Sequence, residues 1–217
     1  MDFNLSAEQS ALRDEVIRFA ENELNDDLIE RDADGTFSPE AWKKCAAFGL
    51  QGLPIPSAYG GGGADPLTIV VAMESLGRGC RDNGLIFSLN AQMWSCEAPI
   101  VRFGSEDQKR RWLPGLADGS VIGVQAMSEP GAGSDAFGSM ATTADMDGDT
   151  FVLNGSKTFI TNADRRCVRR VRLDRPLEGV RRSVGLPGRA HDAGARGGAT
   201  APEDGTANLS HGRDPIR

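Results

Sequence analysis

SEPGAGSD, residues 128–135, and NGSKTFIT, residues 154–161, are the two stretches on which the fold turns. VIGVQAMS (121–128) alternates like a strand and runs into EPGAGSD, whose proline, glycines, serine and aspartate are all turn chemistry. ATTADMDGDTFVLNGSKTFIT (141–161) then predicts two short strand pairs, with Asp147-Gly148 and Asn154-Gly155 as hairpin turns. So few strands make an incomplete sheet, because a sheet needs more partners to bury a face.

Upstream of Gly119 the period is helical. Ser6-Ala7-Glu8-Gln9 is a capping box, followed by Leu12, Val16, Phe19 and Ala20 at helical spacing. Ser38-Pro39 and Asp65-Pro66 each set a cap and then a first-turn proline, before AWKKCAAFGL and LTIVVAMESLG. LIFSLNAQMWSCEAPIVRFG (85–104), apolar on most sides, predicts a buried helix. Ser105-Glu106-Asp107-Gln108 is a second capping box. Between the helices, Gly60 to Gly63 could cradle a phosphate. No Lys-Ser/Thr follows them, so a flexible interhelical turn is the plainer reading.

The expected fold class is therefore α+β: an N-terminal all-α helical domain (1–118), an incomplete antiparallel β domain (119–163), and a disordered tail (164–217). The tail differs sharply in composition. Residues 1–163 carry 12 Lys and Arg against 24 Asp and Glu, whereas 164–217 carry 12 Arg and no Lys against seven acids. Leu, Ile, Val and Phe make up nine of its 54 residues, too few to offset the entropy of ordering. No charged-then-apolar leader opens the sequence and no apolar run reaches about 18 residues, so we expect a cytoplasmic chain. Cys45, Cys80, Cys96 and Cys167 have no metal-like spacing and read as reduced thiols; no metal site is expected.

SEPGAGSD followed by NGSKTFIT resembles the acyl-CoA dehydrogenase family, flavoenzymes that desaturate acyl-CoA thioesters between Cα and Cβ. The resemblance extends through FNLSAEQ (3–9), YGGGG (59–63) and FGSEDQKRRWLPGLADG (103–119). It implies FAD as cofactor, an acyl-CoA substrate and electron-transfer flavoprotein as acceptor, with a homotetramer or homodimer for a full-length member and no nucleic-acid or membrane partner. By position in the motifs, it implies that Gln125, Ala126, Met127 and Ser128 lie along the flavin, and that Gly133 and Ser134 form its glycine turn. Ser134 also falls near the CoA part of the substrate. Phe159 stands where many members have a ring-stacking tryptophan, and Ile160 and Thr161 fall near the flavin N5. The resemblance makes Glu129 architectural and places the catalytic base in a C-terminal helical domain, so none of these residues is expected to be catalytic.

After Ala163 the family continues with a strand of the type ADLFVVFA, where this chain has RRCVRRVRLDR (165–175). That peptide can be encoded so that reading one base later gives ADVYVVFASTD. EDGTANLSHGRDPIR (203–217) can likewise be encoded so that the shifted frame gives KMGLRTSPMAEIRF. The tail thus reads as an out-of-frame translation of a truncated dehydrogenase, inactive as it stands. Two alternatives stay open: a non-catalytic binding module whose basic tail takes nucleic acid, and a fragment of a related acyl-CoA oxidase or nitroalkane oxidase.

Overall fold

The computed structural model describes residues 4–135, 138–147, 150–163, 188–189 and 206–209. The chain separates into two compact units, Met1–Val121 and Ile122–Arg217.

The first unit is built from α1 (Ala7–Glu23), α2 (Leu28–Ala33), α3 (Pro39–Phe48), α4 (Pro66–Gly79), α5 (Asn83–Gln92), α6 (Ala98–Phe103) and α7 (Glu106–Ala117). Each expected cap is formed. Ser6 and Ser105 close capping boxes with Gln9 and Gln108, Ser38 Oγ accepts from the Ala41 amide, and Asp65 accepts from Leu67 and Thr68. Each such cap stabilises its helix by about 1 kcal/mol. The short α2, which no periodicity announced, is tied down by Arg31, whose Nη1 lies 2.8 Å from Asp82 Oδ2. Asp82 Oδ1 in turn accepts from the Leu85 amide and starts α5.

Helix α1 packs along α4, with Val16 and Ala20 turned into the interior. The Asn25 side chain clips the two ends together, donating to the Gly79 carbonyl at 2.9 Å and accepting from the Arg81 amide at 2.8 Å. Leu76, Leu89, Leu113 and Leu116 are fully buried. Burial of each contributes about 1.5–3 kcal/mol. Trp42, almost fully buried, donates its indole N–H to the Gly119 carbonyl and Gln51 donates to the Trp42 carbonyl.

Two expectations about this unit are corrected. The segment 85–104 is helical but not buried on all sides. Its inward stripe is Leu85, Leu89, Gln92, Met93, Cys96 and Glu97, while Phe87, Trp94 and Phe103 face solvent. The stripe follows helical spacing and so takes two polar residues inside while leaving aromatics out. The helix also widens into a π turn at Met93–Glu97, where the Ala98 amide reaches back to the Met93 carbonyl. Pro99 follows immediately, and a proline cannot supply the next helical N–H.

The second correction concerns the glycine run, which is a tightly built turn rather than a flexible one. Gly61, Gly62, Gly63 and Ala64 donate their amides to the carbonyls of Pro56, Gly52, Ile55 and Leu53. No amide of the four is left to cradle a phosphate. A Cβ on Gly61 would lie 2.0 Å from the Ile55 carbonyl oxygen, so only glycine fits there.

In the second unit, β2 (Thr143–Asp147) and β3 (Thr150–Thr158) form an antiparallel hairpin closed at Asp147↔Thr150, where the turn was expected. Asn154-Gly155 is not a turn. β3 runs straight through it, pairing with β2 as far as Asn154 and with β5 (Thr206–Leu209) from Gly155 onward. Gly155 has φ +156°, and a Cβ there would meet Thr142 Oγ1 at 2.3 Å. Glycine thus serves a change of partner within one strand, a use that shares its dipeptide chemistry with a hairpin. The expected strand 121–128 is a strand only at β1 (Val121–Ile122). Farther on, 123–128 meets its neighbour only at isolated points, since a ladder requires a partner that answers at every second residue. Besides β4 (Gly188–Arg189) and β5, the tail and its expected disorder lie outside the described residues.

Candidate functional site

Segment 123–128 lies antiparallel beside the end of β3. The Thr158 amide donates to the Ser128 carbonyl at 2.9 Å, and the Asn162 side chain donates to the Gly123 carbonyl at 3.5 Å. The structure therefore brings Gln125, Ala126, Met127 and Ser128 alongside Phe159, Ile160 and Thr161. The first four and Ile160 and Thr161 are half-buried. Phe159 is 83% exposed and has φ +55°. A bulky aromatic in the left-handed region is an outlier that its surroundings must hold in place, and such strain gathers at ligand sites.

The glycine turn follows directly. Glu129 and Ala132 exchange both backbone hydrogen bonds, at 2.9 and 3.0 Å, which closes the turn between them. Gly133 and Ser134 project beyond it into solvent, and the Cα atoms of Gly131 and Gly133 face open space. A planar ring system resting on 125–128 and Phe159 would find apolar surface, two nearby hydroxyls (Ser128, Thr161) and backbone without obstructing side chains. The residues present fit a flavin.

Behind this surface sits a buried ion pair. Lys157 Nζ lies 2.9 Å from Glu129 Oε1, 3.0 Å from the Met127 carbonyl and 3.2 Å from Met140 Sδ. The Glu129 carboxylate also accepts from the amides of Ala141 and Thr142. Burial alone would raise the Glu129 pKa. The Thr142 side chain, the two amides and Lys157 outweigh it and bring the pKa down to about 2. Glu129 is thus held as an anion by its neighbours. Lys157 was not singled out from the sequence. No local signal marked it, since Gly155 and Phe159 on either side of it in the alternation are exposed while Lys157 is buried.

In the first unit burial perturbs three groups, Glu97, Cys45 and Cys80. Glu97 is fully buried in the π turn, its Oε1 accepting from Gln92 Nε2 at 2.8 Å and its Oε2 without a partner. Burial pushes its pKa up to about 8, against the lowering effect of the Gln92 hydrogen bond. Burial also pushes the Cys45 thiol up to about 12 and raises that of Cys80. Like Cys96, both are buried and in no disulfide among the described residues. Cys167 lies outside the described residues. Among the described residues no helix is long and apolar enough to cross a membrane.

The profile "Acyl-CoA dehydrogenase, N-terminal domain" matches residues 6–120, and "Acyl-CoA dehydrogenase, middle domain" matches 124–169. The short-chain specific acyl-CoA dehydrogenase of Clostridium acetobutylicum is 41% identical over 162 residues, which is 75% of this chain and 42% of that protein. The L-prolyl-[peptidyl-carrier protein] dehydrogenase of a Serratia species is 42% identical over 163 residues, with the same shares. Among solved structures, butyryl-CoA dehydrogenase from Megasphaera elsdenii superposes with a TM-score of 0.68 at 37% identity, over 75% of this chain and 43% of that one. PigA with FAD and proline superposes with a TM-score of 0.71 at 42% identity, over 75% and 42%. The chain spans less than half the length of these relatives. With the N-terminal profile alone covering more than half of the 217 residues, the chain belongs to the acyl-CoA dehydrogenase family.

Proposed function

We propose that this chain carries the first flavin-binding segments of an FAD-dependent oxidoreductase that desaturates an acyl thioester between Cα and Cβ. The observation that carries the reading is the exposed, left-handed Phe159 beside the half-buried backbone of 125–128. Gln125, Ala126, Met127 and Ser128 would line one edge of the flavin, Gly133 and Ser134 the turn nearest the CoA moiety, and Ile160 and Thr161 the region of N5. Phe159 would pack on the ring as an apolar face lacking an indole donor. FAD, when bound, supplies the acceptor for a hydride from the substrate Cβ. Glu129 cannot take the α-proton, because three donors hold it as a buried anion. The base therefore lies elsewhere, and we infer that these 217 residues alone do not turn over.

The tail belongs to the same reading. Arginine without lysine from residue 164, and shifted-frame peptides resembling the family, support a one-base frame shift near codons 162–165. The experiment is to read the DNA through codon 165 in all frames and to express the restored frame. A yellow protein that reduces electron-transfer flavoprotein with an acyl-CoA is expected, and a colourless one overturns the reading. The 217-residue chain should bind FAD weakly and show no turnover. A thioester on a carrier protein is a second substrate reading, favoured by 47% identity to the prolyl acyl carrier protein oxidase AnaB. Comparing the two thioesters with the restored protein separates them. Cytoplasmic residence and homo-oligomers of the restored protein are part of the proposal.

A further inference from the structure

We propose that Lys157 and Glu129 are positioning residues for the flavin-facing backbone. Their buried ion pair sets the course of 126–129 and of the glycine turn against β3 without touching the ligand. The inference rests on the flavin reading and extends it to residues that the motif's exposed positions do not include.

An ammonium has three N–H donors, and all three of Lys157 are spent inside the unit: on the Glu129 carboxylate, the Met127 carbonyl and Met140 Sδ. The carboxylate is met by two backbone amides besides the lysine. One lysine and one glutamate therefore hold three stretches of chain together: β3, the segment ending in Ser128, and residues 140–142 ahead of β2. The adjoining bond from the Thr158 amide to the Ser128 carbonyl sets the register of β3 against that segment, next to the strained Phe159. Glu129 simultaneously closes the glycine turn through its own backbone bonds to Ala132. A well-packed apolar pair would serve stability as well, since burying two charges costs about as much as their attraction returns. What an apolar pair cannot do is direct the Met127 carbonyl and the 141–142 amides to fixed points. The geometry of the flavin-facing strand is the part only the ions supply.

The test uses the 217-residue chain, with Lys157→Met and the double variant Lys157→Met/Glu129→Gln. FAD titration followed by flavin fluorescence should show weakening on the order of tenfold in the single variant. The double variant should bind no worse than the single, because one unit is broken once. Amide exchange should accelerate at 126–134 while the β2–β3 hairpin keeps its protection. Wild-type affinity in Lys157→Met, or weaker binding in the double variant than in the single, overturns the proposal. So does loss of protection throughout the hairpin, which marks an ordinary core residue. If the unaltered chain binds no FAD, the flavin reading fails for this chain and exchange decides the clamp: acceleration confined to 126–134 supports it, and unchanged exchange overturns it.

Discussion

Gly61 shows how little room single residues leave. Its missing Cβ makes way for the Ile55 carbonyl, which accepts from Gly63, so the turn and residues 52–55 close on each other as one piece. Gly61→Ala is expected to lower stability by about 3 kcal/mol or more, measured by denaturant unfolding. Glu97 is the opposite case, a residue whose chemistry the site resists. Its carboxyl titrates near 4.5 when unfolded and near 8 when folded. The folded state holds the extra proton between these values, so stability is full below about pH 4.5 and declines as the pH rises toward 8. Glu97→Gln keeps the acceptor for Gln92 and removes the proton. The variant should melt at a temperature nearly constant over that range, gaining on the parent between about pH 4.5 and 8 and no further above it. Neither residue was legible beforehand. The glycine run offers the same letters whether its amides are free or used, and Glu97 lies in an apolar-rich stretch whose inward stripe depends on packing.

Elements were legible where their signals were local. Every serine or aspartate cap expected from a few neighbouring residues is present, since a cap is satisfied by amides two or three positions away. Elements that depend on distant partners were misread. Asn154-Gly155 has the chemistry of a hairpin, yet tertiary pairing stretches it into β3. The segment 121–128 has strand alternation, yet forms a ladder over two residues. Asp82 joins both kinds of signal, capping α5 with one oxygen and anchoring α2 through Arg31 with the other. Asp82→Ala should cost roughly 1–3 kcal/mol in thermal melting, whereas Asp82→Asn, which keeps the cap, should cost less.

At the scale of the molecule the two units should answer pH in opposite directions. Glu129, depressed to about 2 from 4.5, stabilises its unit above pH 4.5, and that stabilisation is lost as the pH falls through 2. Glu97 acts on the helical unit from the other side. Hydrogen exchange from pH 3 to pH 9 should show 126–158 loosening at the acid end and the α5–α7 region at the alkaline end; loosening of both at one end would contradict this. In the sequence a helical period gives way to alternation near Gly119, and the chain separates into Met1–Val121 and Ile122–Arg217. The ion pair behind the proposed flavin surface was not legible, since it requires the fold to bring residues 129 and 157 together. The placement of the tryptophans has an optical consequence. Trp42, Trp94 and Trp112, together with Tyr59, all belong to Met1–Val121, and Ile122–Arg217 contains neither residue type. Indole emission therefore watches the helices alone, with enclosed Trp42 shielded from dissolved quenchers and Trp94, 41% exposed, open to them. The second unit is dark in that light.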